Sequence, residues 1–162
     1  MSMRLYYSCT QGFIQRNGGN SVDDWFRQGA LKYQANSVQL CLPWDGYNDH
    51  EIGDGNAVGN RQIAMAVTSR YLKGFRAINP HQKMIISRNV FLILGFDLKH
   101  HAEFIVCYTK CGTKSFKGLK NLSQQLCLKL AASYNIPVIN LGNPDDMAIV
   151  GSLIERVKTT IQ

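Results

Sequence analysis

The feature that most constrains this chain is the stretch Ile86-Ser87-Arg88-Asn89-Val90-Phe91-Leu92-Ile93-Leu94-Gly95, followed after a polar interval by a second apolar run, Glu103 to Thr109. Ser87 is a favourable helix N-cap and Gly95 a favourable helix exit, so the spacing predicts a buried helix between them. Arg88 then falls in the first turn, beside backbone N–H groups that lack intrahelical acceptors and attract anions. A cation there is slightly unfavourable for the helix itself. Its role is therefore sought in a partner, either a phosphate or a neighbouring carboxylate.

Around this stretch, strands and helices alternate. Met3 to Cys9 and Gly12 to Arg16 read as short strands, the second ending at the turn Asn17-Gly18-Gly19-Asn20. Ser21 can cap a helix whose first turn holds Asp23 and Asp24, with Trp25, Phe26 and Ala30 on its apolar face. Ser37 to Leu42 reads as a strand stopped by Pro43, and Trp44 to Gly59 as a long glycine-rich loop. Gln62 to Phe75 and Leu119 to Tyr134 carry helical periodicity, Phe104 to Thr109 and Ile136 to Leu141 read as buried-type strands, and Asp145 to Thr159 as a closing helix. Strands separated by helices predict a parallel sheet covered on both faces. Ligands of such sheets bind at the C-terminal strand ends, which here gathers Gly18-Gly19, Thr109 to Gly112 and Gly142-Asn143 on one rim.

At 162 residues the chain is read as a single domain over 1–162, long enough to bury about 70% of its unfolded surface. No apolar run approaches the ~20 residues of a membrane span, and Met1 to Leu5 lacks a secretory core, so a cytoplasmic protein without a membrane partner is expected. Five cysteines form an odd set without paired spacing, and Cys41, Cys107 and Cys127 lie in apolar runs, so reduced thiols are expected.

Charge is unevenly spread. Residues 1–57 carry four basic and six acidic side chains, a balance of −2. Residues 58–129 carry twelve basic side chains against only Asp97 and Glu103, a balance of +10. Residues 130–162 return to −1, with two basic and three acidic side chains. So basic a middle third points to a polyanion, nucleic acid first and nucleotides second. Arg76, Lys83, Arg88, Lys110, Lys114, Lys117 and Lys120 are the candidate phosphate contacts, with Tyr71, Phe75 and Tyr108 as base-stacking candidates if exposed.

Other motifs carry less. His100-His101 are adjacent, so their rings diverge, and neither has metal-ligand spacing to a third group; no metal or cofactor is expected. Cys107 and Cys111 have no second pair, and the familiar glycine-rich nucleotide and nucleophile-elbow signatures are missing. Asp45, Asp49, Glu51 and Asp54 read as a solvated loop. No nucleophile–base pair can be named, and the chain is read as leaning away from an enzyme, with no catalytic residues assigned.

Arg16-Asn17-Gly18-Gly19-Asn20-Ser21-Val22-Asp23, with Phe26 and Gly29-Ala30, resembles the Arg-Ser-Gly-Gly-Ala…Gly-Ala-Asp…Phe…Gly-Ala motif of DprA/Smf-like Rossmann proteins of the SLOG superfamily, common in bacteriophages. Leu42-Pro43-Trp44, Ser87-Arg88-Asn89 with Leu94-Gly95, Cys107 to Gly112, and Tyr134 to Leu141 resemble later segments of the phage group, in its order, over roughly residues 11–142. The chain departs from the family where a Gly-Gly-Thr-Gly turn is expected, reading Leu122-Ser123-Gln124-Gln125, and only about ten residues precede the first motif. Without those glycines, backbone amides close less readily around a phosphate. A related branch uses a catalytic glutamate, and no glutamate stands between Glu103 and Glu155.

The resemblance implies an α/β, Rossmann-like three-layer fold with a mostly parallel sheet and a shortened N-terminal strand and helix. It implies binding of single-stranded DNA, as family members do while loading a recombinase. A second reading is a small-nucleotide binder, with Gly18, Gly19, Asp23, Ser87, Arg88, Asn89, Thr109 and Gly112 around the ligand. A third is a degenerate member that binds a host defence protein. A homo-oligomer is expected, because a shortened N-terminal region leaves a sheet edge or face to cover.

Overall fold

The computed structural model describes residues 3–9, 12–17, 27–32, 38–53, 55–109 and 111–160, with the backbone alone for 3–17 and 153–160. The strands are β1 (Met3–Cys9), β2 (Gly12–Asn17), β3 (Val38–Leu42), β4 (Ala57–Val58), β5 (Phe104–Cys107) and β6 (Val138–Asn140). They form one six-stranded sheet in the order β4-β3-β2-β1-β5-β6. The pairs β2–β3, β3–β4 and β5–β6 are parallel, whereas β1 is antiparallel to both of its neighbours, β2 and β5. The molecule is therefore mixed α/β, with five strands pointing one way and the first reversed.

That reversal modifies the expected alternation. Cys9 pairs with Gly12 across a tight connection, so β1 and β2 are a hairpin with no helix between them. Alternation begins only after β2, with the helical residues 27–32 (α1) preceding β3. The Ser21 cap and the first-turn Asp23 lie outside the described residues, as do Gly18 and Gly19.

The remaining helices are α2 (Arg61–Tyr71), α3 (Pro80–Ser87), α4 (Asn89–Leu94), α5 (Leu122–Ser133) and α6 (Pro144–Thr160), with a 3-10 turn at Phe75–Ala77. Three begin on asparagine. The Asn60, Asn79 and Asn121 side chains accept hydrogen bonds from the amides of Ile63, Gln82 and Gln124, at 3.1, 2.9 and 3.1 Å. Each satisfies a first-turn donor that the helix cannot.

The helix expected to start at Ser87 in fact starts at Pro80. Asn79 caps it, and Pro80 occupies the first position, where no amide is needed. Ser87 is the last residue of α3, not an N-cap. Arg88, at φ −55° and ψ −25°, carries the helical path into α4. Its amide donates to the Met84 carbonyl at 3.1 Å, so the anion-attracting first turn expected at Arg88 does not exist. The physical reason is cooperative: a turn already bonded and already burying Ile86 extends more cheaply than a new helix nucleates. Gly95 does end the helix, at φ +78°, and a Cβ there would meet the His100 carbonyl oxygen at 2.6 Å.

Every residue of α4 is buried, and Val90, Phe91, Leu92, Ile93 and Leu94 are each 3% exposed or less. The helix packs on β1 and β3 of the sheet and on α2, α3 and α5. Leu126, Leu130 and Ala131 of α5, Ile105 of β5 and Cys41 of β3 complete this core. Apolar side chains packed around one six-residue helix make it the structural axis of the domain, at about 1.5–3 kcal/mol for each fully buried large side chain.

Candidate functional site

At the C-terminal ends of β3 and β4 an open cleft of about 240 Å³ lies between the sheet rim, the first turn of α2 and the α3–α4 junction. Leu42, Pro43, Val58, Gly59, Arg61 and Ala64 form one side, and Met84, Ser87, Arg88 and Phe91 the other. Gly59 is required here: a Cβ would overlap the Phe91 ring, so β4 can pass directly into α2 only with glycine at the joint.

The polar groups of this cleft are unusual. Arg88 is 6% exposed, and its guanidinium lies 4.9 Å from the centroid of the Tyr47 ring. Ser87 is 1% exposed, and its hydroxyl oxygen has no hydrogen-bond partner among the described residues. A buried hydroxyl left so costs about 1–3 kcal/mol. Arg61 stands exposed at the start of α2, whose first turn holds no acidic residue. Beside the cleft, Trp44 sits against His81, with centroids 4.4 Å apart, and meets Tyr47 edge-on at 5.0 Å. Asp45, in the same loop, is engaged locally, accepting the Ile52 amide at 2.8 Å.

The ends of β5 and β6 look different. Asn140, fully buried, donates from Nδ2 to the Thr109 hydroxyl at 2.7 Å and to the Thr113 carbonyl at 2.6 Å. Its Oδ1 accepts the amides of Thr109 and Gly142, each at 3.0 Å. Asp146 accepts the Asn140 amide on one oxygen and the Lys114 ammonium on the other, both at 2.8 Å. Burial alone would raise the Asp146 pKa, but the Asn140 amide and Lys114 outweigh it and hold the carboxyl below its ordinary value. The loops touch through backbone: a Cβ on Gly112, at φ +64°, would meet the Gly142 carbonyl oxygen at 2.8 Å.

Two thiols flank this network with opposite chemistry. Burial, with Asp146 nearby, pushes the Cys107 thiol up to about 12. Exposed Cys111 is lowered, chiefly by the Thr113 amide and then by the Thr109 hydroxyl. Cys41, Cys107 and Cys127 are buried, as their apolar settings predicted, and these three and Cys111 are free thiols.

A third region is basic. Lys129 of α5 donates to the Tyr71 carbonyl at 3.0 Å, and its ammonium sits 5.4 Å from the Phe116 ring centroid. That one side chain joins the end of α2 to the loop before α5. The two segments it joins carry exposed Arg70, Lys73 and Arg76 on one and exposed Lys117 and Lys120 on the other. None of these pairs with a carboxylate among the described residues. Lys83 lies alongside, donating to the Arg76 carbonyl at 2.8 Å, over the Phe75 ring.

The residues singled out from sequence are thus divided among three places. Ser87 and Arg88 line the cleft, and Asn89 is buried at the start of α4. Thr109 and Gly112 belong to the β5–β6 network. Three strand spacings, about 14 Å, separate β3 from β5, so one small ligand does not bridge the two groups. Arg76, Lys83, Lys117 and Lys120 lie on the basic side. Lys114 points instead to Asp146, and Lys110 lies outside the described residues. Of the stacking candidates, Phe75 is buried and Tyr71 half-buried, while Tyr108 is exposed. Sequence reasoning missed Gly59, Arg61, Trp44 and His81. The signal for the first two was present as an apolar pair, a glycine, an asparagine cap and a helix in immediate succession. No cluster of three potential metal ligands occurs among the described residues, and no described helix is long and apolar enough to cross a membrane. No family model matches the chain, and no curated protein or solved structure matches it.

Proposed function

We propose that this chain is a non-catalytic single-stranded-DNA-binding protein of the DprA-like, Rossmann-like three-layer type, encoded by a bacteriophage and acting as a homo-oligomer in the host cytoplasm. The observation that carries the binding reading is the basic side built by Lys129. Arg70, Lys73, Arg76, Lys117 and Lys120 lie exposed on the two segments that Lys129 joins, without a described carboxylate to neutralise them. Surface cations held together in this way raise the local concentration of a polyanion and exchange its counterions for protein charge. Single strands fit better than duplex because they bend to follow an irregular surface and offer bases to exposed aromatic side chains. Tyr108, 47% exposed, is the described aromatic best placed to be reached from solution.

Fluorescence anisotropy of a labelled single strand, titrated from low to physiological salt, tests the reading. Five phosphate contacts predict a slope of about −3.5 in log affinity against log salt, from ~0.7 per phosphate on a single strand. Replacing Lys73, Lys117 and Lys120 together by glutamine should flatten that slope by about 2. No binding at low salt would remove the DNA reading.

A further inference from the structure

We propose that the cleft at the C-terminal ends of β3 and β4 binds a nucleotide phosphomonoester, the phosphate at Arg61 and Ser87 and the base on Trp44. This site is separate from the basic side and does not require it. One helix joins them: α2 begins at the cleft and ends at the basic side, about 15 Å away by its rise per residue.

Four observations define the ligand. The first turn of α2 offers the amides of Arg61 and Gln62, which have no intrahelical acceptor, and Asn60 already occupies the Ile63 amide. The positive end of an 11-residue helix favours an anion, and no acidic side chain of its own first turn competes. Ser87, on the opposite wall, keeps a fully buried hydroxyl with no partner among the described residues. A ligand oxygen placed there satisfies a donor that is otherwise left without a bond. Arg61 and Arg88 supply two positive charges from opposite sides, Arg88 steadied against Tyr47.

The polar groups favour a terminal phosphate. One buried hydroxyl on one wall, with one exposed arginine and two first-turn amides on the other, matches the oxygens of a single phosphoryl group. One phosphoryl oxygen enters toward Ser87, and the others remain at the mouth with Arg61 and the α2 amides. Whatever is esterified to the phosphate then lies outward, on the side of Trp44, which follows Pro43 of the cleft wall and sits against His81 at a tilt of 52°. A purine or pyrimidine is the group that stacks on such an indole. The monoester has two possible sources, a free mononucleotide or the 5′ end of a strand.

Titrations of the whole protein with adenosine 5′-monophosphate, adenosine and inorganic phosphate, read by tryptophan fluorescence and calorimetry, test the site. In parallel, anisotropy compares one oligonucleotide with a 5′-phosphate and with a 5′-hydroxyl. The monophosphate is expected to saturate and adenosine not to. Arg61→Gln should weaken monophosphate binding about tenfold, the loss of one charge-assisted hydrogen bond. Ser87→Ala should weaken it severalfold without lowering the melting temperature, and Trp44→Ala should reduce the nucleotide to the affinity of inorganic phosphate. Preference for the 5′-phosphorylated strand, lost in Arg61→Gln, without binding of the free monophosphate assigns the site to strand ends. Monophosphate binding with no strand binding keeps the site and removes the DNA reading. Equal binding of both strands together with no monophosphate binding removes the site and keeps the DNA reading. Monophosphate affinity unchanged in both Arg61→Gln and Ser87→Ala overturns the assignment.

Discussion

The two halves of the sheet's C-terminal rim solve the same problem in opposite ways. Beyond β5 and β6, the central polar side chains bond to one another and to the loops: Asn140 alone makes four hydrogen bonds, and Asp146 takes the Asn140 amide and the Lys114 charge. Beyond β3 and β4, a buried hydroxyl has no partner among the described residues, two arginines line a cleft and a helix begins with no acidic residue in its own first turn. Parallel strands deliver unfinished backbone and loop ends to one rim, so that rim must either be closed by the protein or completed by a ligand. The first half is a clamp and the second has the makings of a binding site. Thr109 and Gly112 looked like ligand residues in the sequence because a closed strand end and an open one use the same residue types.

The largest effect that would break this contrast is at Asn140. Replacing it by alanine leaves the buried amide of Thr109 and the half-buried amide of Gly142 without their acceptor, and the Thr109 hydroxyl and Thr113 carbonyl without their donor. A loss of at least about 3 kcal/mol is expected in urea unfolding. A loss below about 1 kcal/mol would mean that the β5–β6 end is not a clamp.

Next is pH. Asp146 is depressed in the folded protein, so its contribution is present above the ordinary carboxylate value and is lost as pH falls through the lower folded value. Asp146→Asn should cost about 2 kcal/mol at neutral pH and should flatten the acid limb of stability against pH. If wild type and variant lose stability in parallel between pH 5 and 2, the carboxylate contributes nothing there.

Smaller, but sharper as a comparison, is the removal of one buried hydroxyl from each half. Thr109→Val deletes a bonded hydroxyl and should destabilise by about 1–2 kcal/mol. Ser87→Ala deletes an unpartnered one and should leave stability unchanged or raise it by up to about 1 kcal/mol. Equal losses at both sites would erase the distinction between the halves.

The smallest perturbation is chemical. Cys111 is exposed and has a lowered pKa, whereas the nearby Cys107 is buried with its pKa raised. Alkylation of the native protein should modify Cys111 well before Cys41, Cys107 or Cys127, with a pH midpoint below that of a free thiol. Early modification of Cys107 would show that the β5–β6 end opens readily.

Much of the secondary structure was legible in local patterns. The runs Val38–Leu42, Phe104–Cys107 and Val138–Asn140 and the periodicity of α2, α5 and α6 were read close to their observed bounds. The α3 start was also written, in Asn79-Pro80, but Ser87 competed as a cap seven residues inside the same helix. Cap preference is a local quantity of about 1 kcal/mol, and burial of Ile86 together with the whole of α4 outweighs it.

What the sequence by itself determined is the material: a mixed α/β chain, buried thiols, a basic middle third and a central apolar helix ended by glycine. Periodicity, capping and composition act over a few residues, so they survive in the sequence. Only the tertiary structure decided which polar residues are spent internally and which remain for a ligand. Thr109 is consumed because Asn140, 31 residues away, lands beside it; Lys114 is neutralised by Asp146, 32 residues away. Ser87 keeps a buried hydroxyl without a described partner because the α3–α4 junction packs it between Phe91 and the Gly59 turn, where no polar group reaches it. These outcomes depend on strand order and on contacts between distant segments, which no local pattern of residues encodes.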